Sequence, residues 1–111
     1  MADELRLQGI GVAPGVLETI VRLAAEEVDG VARVETTGLG GLVHSGSKAL
    51  AVNVDEAAAM SVSVHVTLCY GQPLHEVAER VQTSVAEALS SQTGQPVTAV
   101  DVYVDGVVFE Q

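Results

Sequence analysis

The sequence predicts an α+β fold: a two-layer sandwich in which a mostly antiparallel sheet carries two amphipathic helices on one face. Three observations carry this expectation. Two segments place their apolar residues on a single stripe at helical spacing. The segments around them are shorter, and the clearest of these alternate apolar and polar residues, the pattern of strands with one buried face. Finally, only Tyr70, Tyr103 and Phe109 are aromatic while valine is abundant, so the core must be aliphatic and valine-rich, which favours sheet.

The elements come in this order. "LRLQGIGV" carries a weak strand signal. In "APGVLETIVRLAAEEVDG", Leu17, Ile20, Val21, Ala24 and Val28 make one stripe, with Glu18, Arg22 and Glu26 away from it. Pro14 suits a first helical turn and Gly30 the position after the last, so a helix is expected over 14–29. "VARVET" reads as a short strand, followed by a glycine-rich loop and then "ALAVNV", a strand over 49–54. "DEAAA" is short enough for a hairpin into "MSVSVHVTLCY", the cleanest alternation in the chain. Met60, Val62, Val64, Val66, Leu68 and Tyr70 point one way; Ser61, Ser63, His65, Thr67 and Cys69 point the other. Leu74, Val77, Ala78, Val81, Val85, Ala88 and Leu89 form the second helical stripe, over about 73–92, between Pro73 and Gly94. The last strand alternates through Val100, Val102 and Val104, then slips parity at Asp105-Gly106, because Val107 and Phe109 take the opposite phase. A glycine at such a slip predicts a bulge or tight bend. Helix-glycine-strand occurs twice, a faint sign of a duplicated unit. At 111 residues the chain is expected to form a single domain.

Charge and composition exclude several classes. Fifteen acidic residues face five basic ones, a formal net charge of -10. Such a balance opposes nucleic acid, whose phosphates require Lys and Arg, and adsorption to an anionic bilayer. No apolar run approaches the roughly 18 residues a membrane span needs, so direct membrane insertion is not expected. The single cysteine, Cys69, cannot form an intramolecular disulfide, which fits a reducing compartment. "MADELRLQG" lacks the basic lead and apolar run of a signal peptide. A cytoplasmic protein is expected, reaching a membrane only through a partner.

"GLGGLVHSGSKAL", residues 38–50, raises the question of phosphate chemistry. A P-loop requires Gly-x-x-x-x-Gly-Lys-Ser/Thr running from a strand into a helix. Gly41 and Gly46 have that spacing, but Ser47 and Lys48 stand after them in the wrong order, and a strand comes next. No helix N-terminus is available for a phosphate, and Val43 stands where a dinucleotide loop needs glycine. The loop reads as a connection.

The remaining polar residues build no catalytic constellation. His65 and Cys69 share a strand face but lie about 13 Å apart along it, too far to hold one zinc. His44 lies in the loop and His75 in the first turn of the second helix; both read as surface residues. Cys69 has no base beside it in sequence to make it a nucleophile. The pairs Glu26-Glu27 and Asp55-Glu56 sit at a helix end and a turn, where solvation explains them. Asp101, Tyr103 and Asp105 make the densest polar cluster, yet carboxylates about 13 Å apart on a strand do not form a glycosidase pair. No cofactor and no metal are expected.

Three segments, "GVLETIVRLAAEEVDGVARV", "VTLCYGQPLHEVAERVQTSVAEAL" and "TGQPVTAVDVYVDGVVFE", resemble, in order, the first helix and strand, the central strand with its Tyr-Gly turn and second helix, and the closing strand of the alkaline-shock protein family. These are envelope-stress proteins of Gram-positive bacteria. The resemblance runs from about residue 9 to 110. It implies no catalytic residue, a role in envelope stress and homeostasis, self-association into a homo-oligomer, and cytoplasmic members held at the membrane by a membrane-anchored relative. The Gly38–Lys48 loop departs from the family, where it is often richer in lysine. The leading expectation is therefore a non-enzymatic scaffold or adaptor acting through protein contacts. The rival is a small-molecule-binding or enzymatic domain using the Gly38–Lys48 loop with His44, or the Asp101, Tyr103 and Asp105 face.

The place where contacts would occur is written in one strand. Between Met60 and Tyr70 there is no formally charged residue on either face, although exposed strands are ordinarily protected by charge or proline. Ser61, Ser63, His65 and Thr67, with Tyr103 as an aromatic anchor, form the candidate interface for another subunit or partner. The alternative is a central strand, shielded at both edges, whose outer face is simply wet.

Overall fold

The computed structural model describes residues 5–7, 9–35, 50–54 and 59–109. The chain runs β1 (Leu5–Leu7), β2 (Ile10–Val12), α1 (Pro14–Glu26), β3 (Val31–Val34), β4 (Leu50–Val54), β5 (Met60–Cys69), α2 (Leu74–Thr93) and β6 (Val97–Val108). The fold is α+β. The weak N-terminal signal resolves into a two-stranded antiparallel hairpin, Leu5↔Val12 to Leu7↔Ile10. Gly9 at its turn takes φ +86°, a conformation that favours glycine.

β5 is the centre of the second sheet. β4 pairs antiparallel with its first half, Val54↔Met60 to Leu50↔Val64, and β3 pairs antiparallel with its second half, Val34↔Val66 to Val31↔Leu68. β6 takes the whole opposite edge, from Met60↔Val97 to Cys69↔Val108, and runs parallel. The other described pairings are antiparallel, as expected; chain length explains why this one is parallel. The 20 residues of α2 span about 30 Å, close to the roughly 33 Å of a ten-residue strand. The helix therefore returns the chain to where β5 began, and the next strand starts in the same direction. The parity slip is a bulge: pairing passes from Val66↔Val104 to Thr67↔Gly106, leaving Asp105 without an opposite residue.

Helix limits reflect local chemistry. Pro14 opens α1, which ends at Glu26 rather than the expected 29; residues 27–30 form a turn closed by Gly30 at φ +100°. Pro73 is the N-cap of α2 and Gly94, at φ 75°, its left-handed C-cap. The two helix-glycine-strand units place β3 and β6 on opposite sides of β5 in opposite directions.

One core joins both helices to the sheet. Leu17, Val21, Ala24 and Ala25 of α1, Val77, Val81, Val85 and Leu89 of α2, and Met60, Val62, Val64, Val66 and Leu68 of β5 pack in a single cluster. Fully burying each leucine or valine contributes about 1.5–3 kcal/mol. Ser84 Oγ donates to the Ala24 carbonyl at 2.9 Å, tying the helices together where small residues let them approach. Tyr70, placed on the inward phase by alternation, lies beyond the strand end and is 68% exposed. Among the described residues, no helix is long and apolar enough to cross a membrane.

Candidate functional site: the outward face of the sheet

The odd-numbered residues of β5 form the floor of this face. Ser61 sits between Asn53 of β4 and Ala99 of β6, Ser63 lies opposite Asp101, and His65 lies opposite Tyr103. Ser61, Ser63 and His65 are half-buried and Tyr103 is 47% exposed. The β5 floor of this face is small and uncharged, and its neighbours add the Tyr103 ring and the exposed charges of Asp101, Asp105 and Arg33.

Register and bulge together assemble a three-residue cluster there. The His65 and Tyr103 rings stack with centroids 4.7 Å apart and an interplanar angle of 22°. His65 Nδ1 lies 2.9 Å from both carboxylate oxygens of Asp105. With the proton on Nδ1, the imidazole donates to Asp105 and leaves Nε2 as an acceptor. The bulge makes this contact natural: Asp105 has no opposite residue on β5, and its carboxylate turns back to His65.

The far end of the face closes on itself. Thr67, expected in the candidate interface, is 3% exposed and so is not presented to a partner. It lies opposite Gly106, which has no side chain to hold it away, and its Oγ1 donates to Glu35 Oε2 at 2.9 Å. Arg33 Nε donates to the same oxygen at 3.1 Å. Glu35 is anchored in turn by its own N–H, which donates to the His65 carbonyl at 2.9 Å. A charge-assisted, partly buried bond of this kind contributes about 1.5–3 kcal/mol; the exposed Arg33–Glu35 pair contributes little.

The other candidates stay dispersed. His75 is exposed and pairs with Glu79 at 3.4 Å, and Glu26 pairs with Arg22 at 3.6 Å. Cys69 is half-buried with a free thiol. Asp101 stays exposed opposite Ser63 while Asp105 is tied to His65, so the Asp101, Tyr103 and Asp105 cluster divides between two partners. The Gly38–Lys48 loop, His44 and Asp55-Glu56 lie outside the described residues. Among those described, no group of three His, Cys, Asp or Glu side chains is placed to hold a metal. Chemically, an imidazole oriented by a carboxylate is half of a nucleophile-activating triad. The bonds that the described residues make to this imidazole both use Nδ1. Sequence reasoning missed Glu35 and the His65–Asp105 pair; the parity slip at Asp105 was the available signal for the second.

The described residues define an α+β fold with a polar cluster, His65, Tyr103 and Asp105, on its outward sheet face. Residues 3–109 match the model of the family of alkaline-shock protein 23, described by a cell envelope-related function, and the chain belongs to that family. It is similar to uncharacterized protein YqhY of Bacillus subtilis, 28% identical over 112 residues covering 97% of this chain and 83% of that protein. It is also similar to uncharacterized protein Spy1535 of Streptococcus pyogenes serotype M6, 27% identical over 104 residues covering 92% and 81%. Among solved structures, the copper form of MamM CTD shares the fold at TM-score 0.53 and 13% identity, covering 83% of this chain and 84% of that one. A variant of the same domain gives 0.52 and 14% over 83% and 94%.

Proposed function

We propose that this protein is a non-enzymatic scaffold or adaptor of the envelope stress response, acting through protein contacts on the outward sheet face. The observation that carries this reading is the face itself: Ser61 and Ser63 are half-buried and uncharged, and beside them Tyr103 stands 47% exposed on a ring stack. A preordered, exposed tyrosine ring is the kind of residue that anchors an interface core. Family membership with a cell envelope-related function supports the setting. The proposed protein works in the cytoplasm, self-associates, and reaches the membrane through a membrane-anchored relative, without a nucleic acid, cofactor or metal. Among the described residues, the feature that favours an acid–base reading is the His65–Asp105 pair, which in the scaffold reading fastens β6 to β5 at the bulge.

The test is the double variant Ser63→Lys with Tyr103→Ala. Asp101, opposite Ser63, gives the new lysine a partner in the free monomer, so the fold is kept. Circular dichroism checks folding, light scattering gives the assembly mass, and mass spectrometry identifies what co-purifies from the native host. A smaller mass or loss of the wild-type partners supports the reading. Wild-type mass with unchanged partners places the contacts elsewhere.

A further inference from the structure

The bulge that turns Asp105 toward His65 also rotates the residues beyond it. Val107 and Phe109 now point to the helix side of the sheet, past the end of the core. There they meet Tyr70, just beyond β5, and Leu74, the first residue of α2. Exposures are 43% for Val107, 77% for Phe109, 68% for Tyr70 and 43% for Leu74. The Tyr70 and Phe109 rings hold one another edge-on, 5.2 Å apart at 68°. The Tyr70 N–H donates to the Val108 carbonyl at 2.7 Å, which fixes the two ring-bearing segments side by side. An open cavity of about 540 Å³ lies between Tyr70, Leu74 and Val107, floored by Gly71, Gln72 and Pro73. Two of the three aromatic residues of the chain thus stand in solvent at one end of the molecule.

The turn next to this pad is acidic. The Gly30 carbonyl accepts the Cys69 N–H at 2.8 Å, which sets the turn that carries Glu27 and Asp29 next to the end of β5. Both are exposed. That turn lies at the C-terminus of α1, whose last turn contains no basic residue, so the negative end of the helix dipole adds to the two carboxylates. Glu76, in the first turn of α2, is paired with Arg80 at 3.9 Å.

We infer that this strand-end pad docks a basic, apolar-anchored segment of a partner protein, its apolar side chains seated between Tyr70, Leu74 and Phe109 and its Lys or Arg residues facing Glu27 and Asp29. Size and charge select this occupant. Taking about 200 Å² for a whole aromatic side chain, the 68% exposure of Tyr70 and 77% of Phe109 leave roughly 300 Å² of ring surface in solvent. A stable complex of two globular surfaces needs about 800 Å² on each side, so the pad suits a short segment better than a second domain. A second copy placed pad to pad would also set Glu27 and Asp29 against their own duplicates. The same charges oppose an anionic bilayer. This surface is distinct from the outward sheet face, so either reading can fail without the other.

The experiment is an amide NMR titration of the full chain with two synthetic helical peptides. Both carry the same Leu and Phe anchors; one is flanked by lysines, the other by glutamates. The lysine peptide is expected to shift resonances of Tyr70, Gly71, Leu74, Val107 and Phe109, and the glutamate peptide to shift none. Phe109→Asp, at an exposed position, is expected to weaken binding at least about tenfold. Glu27→Gln with Asp29→Asn should weaken it several-fold and flatten its salt dependence. Equal binding of both peptides, shifts centred on Ser63 and Tyr103, or affinity unchanged by Phe109→Asp would overturn the inference. So would a dimer mass, or adsorption to phosphatidylcholine vesicles, that Phe109→Asp abolishes; these would assign the pad to a second copy or a lipid surface.

Discussion

Replacing Gly30 by alanine tests how the turn after α1 is packed against α2. Two costs add at this position. The residue sits at φ +100°, where an L side chain is strained by about 1–2 kcal/mol. A Cβ there would also lie 3.0 Å from Val77 Cγ2 and 3.3 Å from both Val77 Cγ1 and Gln72 Oε1. Gln72 is exposed and can swing away, but Val77 is 1% exposed and held by the core. Overpacking of this kind costs about 1–3 kcal/mol, so Gly30→Ala should destabilise by about 2–5 kcal/mol in all. Gly94→Ala is the control: φ is +75° but nothing lies within 4 Å of the added Cβ, leaving the backbone strain alone. Urea unfolding at 25 °C, followed by circular dichroism with unchanged m-values, gives both differences. Adding Val77→Ala to Gly30→Ala should recover part of the loss, a coupling of about 1 kcal/mol or more. If Gly30→Ala costs no more than Gly94→Ala, or shows no coupling to Val77, the close approach of turn and helix is wrong.

Three further outcomes are expected. Leu89→Ala, at a position with no exposed surface, should cost about 2–5 kcal/mol in the same assay, against near zero for Leu74→Ala at the exposed start of α2. Thr67→Val removes the donor to Glu35 and should cost about 1–2 kcal/mol, whereas Ser63→Val on the same strand face should stay within about 0.5 kcal/mol; equal effects would dismiss the Glu35 bond. In a thermal-shift assay, millimolar ATP or GTP with magnesium should leave the transition unmoved, because Lys48 is displaced from the P-loop position and a strand comes after it. A ligand present at 100 times its Kd would add about 2.7 kcal/mol, a rise of several degrees that would revive an enzymatic reading.

What the sequence disclosed and what it concealed divide along one physical line. Features set by neighbours along the chain were readable. The period-two pattern of Met60 to Leu68 arises from one buried face, and the strand and its core side are as expected. α2 lies between Pro73 and Gly94 because one residue stops a helix from extending backward and the other ends it at low strain. The bulge was visible as a parity slip because period two leaves no other way to place Val104 and Val107 both toward the core side. Features set by register were not readable. Thr67 and Glu35 are 32 residues apart and His65 and Asp105 are 40 apart, and alternation fixes which face a residue takes without fixing what stands opposite it. Thr67 was therefore placed correctly on the outward side, and only the pairing with Gly106 and the reach of Glu35 remove it from solvent. Tyr70 fails for the complementary reason. Its phase is inward, but phase says nothing about how far the core extends, and α2 starts too late to cover it. The bulge at Asp105 thus sets two surfaces at once: the Asp105 carboxylate returns to the outward face, and Phe109 is delivered to the helix side, where no described residue buries it. An insertion or deletion at position 105 should therefore alter both surfaces together, while substitutions at Ser63 or Phe109 separate them.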